Sequence, residues 1–128
     1  MIILDTHAWI WWMTESPNLS PKAVEAIAQY SVIGIPSICC WEIAMLVAKS
    51  RLTLSLDVQD WLKLSLAHPK IRLLPLSPEI AVLSTRLPAN FHSDPADRLI
   101  VATCLTYQVP LLSKDSLIQK WGHLEIIW

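Results

Sequence analysis

Four acids stand where a carboxylate is costly to keep charged: Asp5, Glu42, Asp97 and Asp115. Asp5 directly follows the apolar run Ile2 to Leu4 and precedes a second apolar stretch. Glu42 is the only ionisable side chain, cysteines aside, between Ile38 and Ala48. On a helix it shares a face with Ile38, Met45 and Leu46. Asp94 and Asp97 lie three residues apart and point to one side of a helix start, ahead of Leu99-Ile100-Val101-Ala102. Asp115 ends the segment Pro110-Leu-Leu-Ser113-Lys114. An unpaired charge beside a core costs several kcal/mol or shifts its pKa toward the neutral form. Each acid also has an ordinary explanation. Asp5, Asp94 and Asp115 can each cap a helix, Asp97 suits the positive end of a helix dipole, and Glu42 can reach solvent or pair with Lys49. Taken jointly they point to chemistry. Carboxylates brought together repel one another unless a cation lies between them. Oxygen-only ligands favour Mg²⁺ or Mn²⁺ over zinc, and such a cluster is suited to phosphodiester hydrolysis.

The elements that must position these acids alternate between strand and helix. Ile2 to Leu4 is a short apolar run, as expected of a strand buried on both faces. A short helix over Ala8 to Met13 follows. Ser20-Pro21 supplies an N-cap and a proline at the first helical position, predicting a helix over Lys22 to Tyr30. Val32 to Ile35 reads as a strand closed by Pro36, and Ser37 as the cap of a long helix from Ile38 to about Lys49. Asp57 predicts a helix from Val58 to Ala67. A strand over Ile71 to Leu74 comes next. The cap-plus-proline pairs Ser77-Pro78 and Asp94-Pro95 open helices to about Arg86 and Gln108. Pro110 to Leu112 is a fourth strand, Asp115 caps a helix ending near Gly122, and Leu124 to Ile127 is a fifth strand. Strands separated by helices imply a parallel α/β sheet covered on both faces. Ligands of such sheets bind beyond the carboxyl ends of the strands, where the strand order switches. Asp5 and Asp115 fall there.

Composition bounds the reading. The 128 residues give one expected domain, with no linker or repeat, and are 53% hydrophobic and 16% charged, which excludes disorder. So apolar a chain is expected to cover part of its surface with a partner or a second copy. The net charge of −1, from 10 basic and 11 acidic side chains, excludes a protein that grips nucleic acid through a broad basic face. Any grip on nucleic acid must be local, metal-assisted or helped by a partner. Three cysteines, Cys39, Cys40 and Cys104, give no disulfide framework and no zinc pattern, and read as buried thiols of a reducing cytosol. No targeting segment and no membrane span is indicated, so a cytoplasmic location is expected. Among the seven tryptophans, Trp9 and Trp12 share a helix face with Met13 while Trp11 points elsewhere. Trp61 and Trp128 are expected to be exposed, and about half of the seven to fill the core. Aromatic residues and methionine favour interfaces.

Asp5-Thr6-His7-Ala8 after a first apolar strand, Trp41-Glu42-Ile43-Ala44 inside a helix, Asp94-Pro95-Ala96-Asp97-Arg98-Leu99-Ile100-Val101-Ala102-Thr103, and Leu111-Leu112-Ser113-Lys114-Asp115 resemble the PIN-domain family. The nearest likeness is to VapC-type toxins of bacterial toxin–antitoxin pairs. The resemblance spans nearly the whole chain, with the motifs in order. It implies a three-layer α/β/α fold with a five-stranded parallel sheet and an Mg²⁺- or Mn²⁺-dependent endoribonuclease. It also implies a homodimer blocked by a small antitoxin. By the resemblance, Asp5, Glu42, Asp97 and Asp115 are the metal-holding quartet. Thr6 and Ser113 support it, Asp94 is a cap or outer group, and Arg98 pairs with a carboxylate or phosphate. His7 and His92 lie near the expected mouth. Ser50, where relatives often carry glycine, and the weakly basic Ala48-Lys49-Ser50-Arg51 are departures that bear on RNA affinity. A phosphotransfer receiver domain would need an acidic pair after the first strand, and a dehalogenase-type phosphatase would need D-x-D, where this chain has Asp5-Thr6-His7. The remaining alternative is a PIN fold that only binds RNA or protein.

Overall fold

The computed structural model describes residues 1–128. In chain order the elements are β1 (Ile2–Leu4), α1 (Thr6–Met13), α2 (Pro21–Gln29), β2 (Ile33–Pro36), α3 (Ser37–Ala48), α4 (Val58–Leu66), β3 (Ile71–Leu74), α5 (Pro78–Ser84), α6 (Pro95–Tyr107), β4 (Leu111–Leu112), α7 (Ser116–Trp121) and β5 (Ile126–Ile127). The five strands form one sheet in the order β3-β2-β1-β4-β5, every neighbouring pair parallel. The α/β expectation holds, with all five strands where the hydrophobic runs place them.

Strand β1 is central. Ile2, Ile3 and Leu4 have no solvent exposure, because helices cover both sheet faces and strands flank both edges. Ile3 is registered on Gly34 of β2 and on Leu111 of β4. Gly34 is needed for its lack of a side chain. A Cβ there would stand 2.8 Å from Leu74 Cδ1 and 3.0 Å from Ile3 Cγ1, and both neighbours are buried. The chain runs outward from β1 through β2 to β3, then crosses back to β4 on the other side. The order therefore switches between β1 and β4, and the crevice beyond their carboxyl ends is the natural ligand site.

The caps follow the sequence in all but one helix. Ser20 Oγ, Asp57, Ser77 Oγ, Asp94 and Asp115 each accept a backbone N–H of the helix they precede. Ser37 does not cap α3; it is that helix's first residue, and Pro36, the last residue of β2, stands at the cap with no side-chain hydrogen bond. Strand passes into helix without a loop, so Ser37 already has helical geometry.

The tryptophan expectation is corrected at Trp61. It is buried (7% exposed), because α4 turns its apolar face inward and sets Trp61 5.5 Å from the fully buried Trp9. Trp128 is only partly exposed and packs 5.8 Å from Trp11. The tryptophan most open to solvent is Trp41 on α3, at 57%. Cys39 and Cys104 are buried and Cys40 partly so. Burial pushes the Cys39 and Cys104 thiols well up, which keeps them protonated and unreactive.

Candidate active site

Asp5 owes its position to two local requirements. The end of β1 fixes its backbone at the sheet edge, and its extended conformation lets Oδ1 accept the Ala8 N–H at 2.9 Å, starting α1. Its other oxygen, Oδ2, accepts from the Ser113 hydroxyl, which lies just past β4 and is fully buried. The two strand ends flanking the switch point are thus tied by one hydrogen bond. Ser113 Oγ also accepts the Asp115 N–H at 3.1 Å. Asp115 in turn caps α7, one carboxylate oxygen taking the N–H groups of Leu117 and Ile118 at 2.9 and 3.0 Å.

A second hydroxyl links the helices. Thr6, buried at the first position of α1, donates to Glu42 Oε1 on α3. Glu42 neither pairs with Lys49 nor points away from the protein. Asp94 caps α6 by accepting the Asp97 N–H at 2.9 Å, and the first turn then presents Asp97 to the same opening. Asp97 Oδ2 meets His92 Nε2 at 2.8 Å. The ordinary capping roles of Asp5, Asp94 and Asp115 are therefore real, and the capping geometry is what aims these acids inward.

The result is a cleft of about 520 Å³ whose wall includes Asp5, Glu42, Asp94, Asp97 and Asp115, with Thr6, His7, Trp11, Ile100 and Lys114. Five carboxylates share it with one lysine. Burial raises the pKa of Asp5, and repulsion from Asp115 adds to that, against hydrogen bonds from Ser113 and Ala8. Burial likewise raises Glu42, opposed by Thr6 and reinforced by Asp97 and Asp94. Asp97 is raised by burial and by Asp94 and Asp115, opposed by His92. All three are held above the ordinary carboxylate range because charge is poorly solvated and repelled there. A bound cation removes that penalty.

The donor set fits a hard divalent ion. Glu42 Oε2, Asp97 Oδ1 and the second Asp115 oxygen take no hydrogen bond from the protein, and no buried side-chain oxygen is unsatisfied, so these atoms open onto the cleft. They are all oxygens, as Mg²⁺ and Mn²⁺ prefer. No three of the acids, histidines and cysteines are drawn together tightly enough to enclose an ion as they stand.

Arg98 departs from expectation. Its Nε donates to Ser84 O at 2.7 Å, and its Nη1 to Phe91 O and His92 O at 2.7 and 3.1 Å. It contacts no carboxylate and does not line the cleft. It fastens the segment between α5 and α6, and so His92, to α6. Backbone carbonyls of a tight loop outcompete the acids because they are fixed within reach of the planar fork. Arg98→Ala is expected to cost about 2 kcal/mol by leaving part-buried carbonyls unpaired. Arg98→Lys should not restore it, since one ammonium cannot replace both nitrogens. Urea denaturation of the two variants checks this, and a wild-type midpoint for Arg98→Lys would contradict the role.

Sequence reasoning did not assign Trp11 or Lys114 to the site, and placed His92 near its mouth without pairing it with Asp97. The signals were present: Trp11 lies one turn beyond His7 on α1, Lys114 immediately precedes Asp115, and His92 stands just before the Asp94-Pro95 turn.

Fold and site together define a parallel α/β domain carrying a carboxylate-walled cleft at its switch point. The PIN domain family model matches residues 2–123. Ribonuclease VapC22 of Mycobacterium tuberculosis is 33% identical over 122 residues, covering 95% of this chain and 92% of that protein. The chain belongs to the PIN domain family. In fold it resembles VapBC2 from Rickettsia felis bound to a promoter DNA fragment (TM-score 0.71, 17% identity, 98% of this chain and 97% of that one). It also resembles FitAcB from Neisseria gonorrhoeae (TM-score 0.69, 20% identity, 98% and 96%). No helix is long and apolar enough to cross a membrane.

Proposed function

We propose that this chain is a divalent-metal-dependent endoribonuclease acting as the toxin of a toxin–antitoxin pair. The observation that carries the reading is the cleft at the strand switch. There Asp5, Glu42 and Asp97 are all raised in pKa by burial and by neighbouring carboxylates, and Glu42, Asp97 and Asp115 each keep one oxygen that takes no hydrogen bond from the protein. Membership of the PIN family and the relative named Ribonuclease VapC22 support RNA as the substrate. A further fold neighbour, described as a toxin–antitoxin complex from Klebsiella pneumoniae, supports an antitoxin partner. A homodimer and a cytoplasmic location belong to the same reading.

In this proposal Asp5, Glu42, Asp97 and Asp115 hold one or two Mg²⁺ or Mn²⁺ ions. When bound, the ion supplies an activated water and positive charge for an in-line displacement at phosphorus. The chain's own part is positional. Thr6 and Ser113 fix the rotamers of Glu42 and Asp5 by donating to them, and Asp94 sets the start of α6 and hence Asp97. His92 orients Asp97 through its outer oxygen. Lys114 is the lysine available to draw a phosphate toward a wall that otherwise repels it.

Cleavage of a single-stranded RNA should require Mn²⁺ or Mg²⁺ and stop with EDTA. The metal should also leave a pH signature in stability. The three acids have raised pKa values in the folded state. Their contribution to stability is therefore complete below the ordinary carboxylate range and is lost as pH rises through the raised values. Metal-free protein should lose stability over that rise. Mn²⁺ at about 100 times its dissociation constant should return about 2.7 kcal/mol, so the gap between Mn²⁺ and EDTA melting curves should widen with pH. An RNA substrate left intact with Mn²⁺, and melting curves that coincide with and without it at pH 7.5, would exclude the reading.

A further inference from the structure

Trp11 belongs to two clefts at once. Its indole forms part of the acidic wall beside Asp5 and Asp115, and also of a second cleft, of about 510 Å³, that includes Trp12, Ser16, Leu19 and His68. Around the ring stand His7, 5.7 Å away on the same helix, Trp128, tilted at 5.8 Å, and the Lys114 ammonium, 5.7 Å from the ring centre. Trp12 and His68 lie 4.7 Å apart in the second cleft. The lysine there, Lys70, is already spent on the carbonyls of Ile27 and Ala28 at 2.8 and 3.1 Å. That cleft therefore lacks a free lysine, and its wall is mostly apolar, with Trp11 and Trp12 beside Leu19, Val24 and Ile27 and one acid, Glu15. It offers nothing to a phosphate and much to the flat face of a base.

The charge balance gives such a surface a use in the proposed reaction. With 10 basic and 11 acidic side chains and a wall of carboxylates, the protein has little positive charge of its own with which to hold RNA phosphates. Stacking on aromatic rings supplies affinity that does not depend on net charge.

We propose that Trp11 is a substrate-positioning residue that stacks the nucleobase next to the scissile phosphate, so that an RNA strand passes from the acidic cleft into the second one. Lys114 couples the two parts. A phosphate that draws its ammonium off the ring leaves that indole face to the adjoining base. The assignment rests on the ribonuclease reading and adds to it the feature that sets where the strand is held.

The test uses the full chain with Mn²⁺ and a short single-stranded RNA, comparing wild type with Trp11→Phe and Trp11→Leu. A second RNA set carries one abasic nucleotide on either side of the cleaved bond. Loss of one base–aromatic stack corresponds to about a 5- to 150-fold change in affinity. Trp11→Leu should raise KM within that range with kcat little changed, and Trp11→Phe should retain most of the wild-type KM. An abasic nucleotide at the stacked position should weaken wild type by a like factor and leave Trp11→Leu unaffected. Wild-type KM in Trp11→Leu overturns the proposal, as does an abasic penalty equal in both proteins. So does a loss confined to kcat, which would make Trp11 a packing residue of α1. An unchanged RNA KM with weakened binding of a co-expressed antitoxin would assign the second cleft to protein instead. RNA left uncut by wild type removes the ribonuclease reading itself, whereas RNA cut equally by all three removes only the stacking role.

Discussion

Asp97→Asn is expected to reduce metal-dependent RNA cleavage about 10²- to 10³-fold, the scale set by removing one preorganised charge-stabilising group, and to raise the melting temperature of the metal-free protein. The two effects have one cause. Asp97 is held above the ordinary carboxylate range by burial, then by Asp94 and Asp115, so its negative charge destabilises the fold until a cation arrives. Asparagine keeps the shape and still offers an oxygen to His92 Nε2. It removes the charge that repels and with it the charge that binds. Relief of about 1 kcal/mol raises the midpoint by about 4 °C in a chain of this size. Assays on identically purified wild type and variant, with scanning calorimetry in EDTA, read both. Full cleavage by Asp97→Asn would remove the acid from the metal site. Lost cleavage together with a lowered midpoint would mean that Asp97 is structural.

Trp9→Ala carries the largest expected cost in stability, about 3–5 kcal/mol. Trp9 is fully buried, packs against Trp61, and donates its indole N–H to the Ser65 hydroxyl at 2.7 Å. Alanine would leave a cavity between α1 and α4 and a buried hydroxyl without its donor. Trp9→Phe fills most of the space and loses only the N–H, so its cost should be nearer 1–2 kcal/mol. The backbone N–H of Trp9 closes the first turn of α1 on Asp5 O at 3.0 Å, so loosening this helix, even with that backbone donor kept, also loosens Asp5 and Thr6. Trp9→Ala should therefore weaken Mn²⁺ binding without touching a ligand. Urea unfolding with an unchanged slope checks the stability, and Mn²⁺ titration by isothermal calorimetry checks the coupling. A cost below about 1 kcal/mol for Trp9→Ala would show that α1 and α4 close over the gap.

Much of this protein is legible in one dimension because its signals are local. Apolar runs of three or four residues mark strands buried on both faces, as at Ile2–Leu4. Ser-Pro and Asp-Pro pairs mark helix starts, since a side-chain oxygen and a missing N–H answer the same unpaired backbone groups. Asp5, Glu42, Asp97 and Asp115 draw notice because charge in an apolar setting is costly wherever the chain goes. The identities of the elements, their order and the candidate acids were all readable from such features.

Contacts between distant segments were not. Arg98 could be read as a partner for acid or phosphate, and only the folded structure shows three carbonyls, one at the end of α5 and two in the following loop, within reach of its fork. Trp61 looked free to face solvent until α4 met α1. Ser37 looked like a cap because nothing local reveals that β2 runs into α3 without a turn. The Ser113–Asp5 bond, spanning 108 residues, exists only because the strand order brings β4 beside β1, and the Thr6–Glu42 bond, spanning 36, only because β2 lies on the other side of β1 and α3 packs on α1. A residue's type and its near neighbours determine which groups can be charged, capped or buried. Which of them meet is decided by how the sheet is threaded, because hydrogen bonds and repulsion act over a few ångströms in space, whatever the distance along the chain.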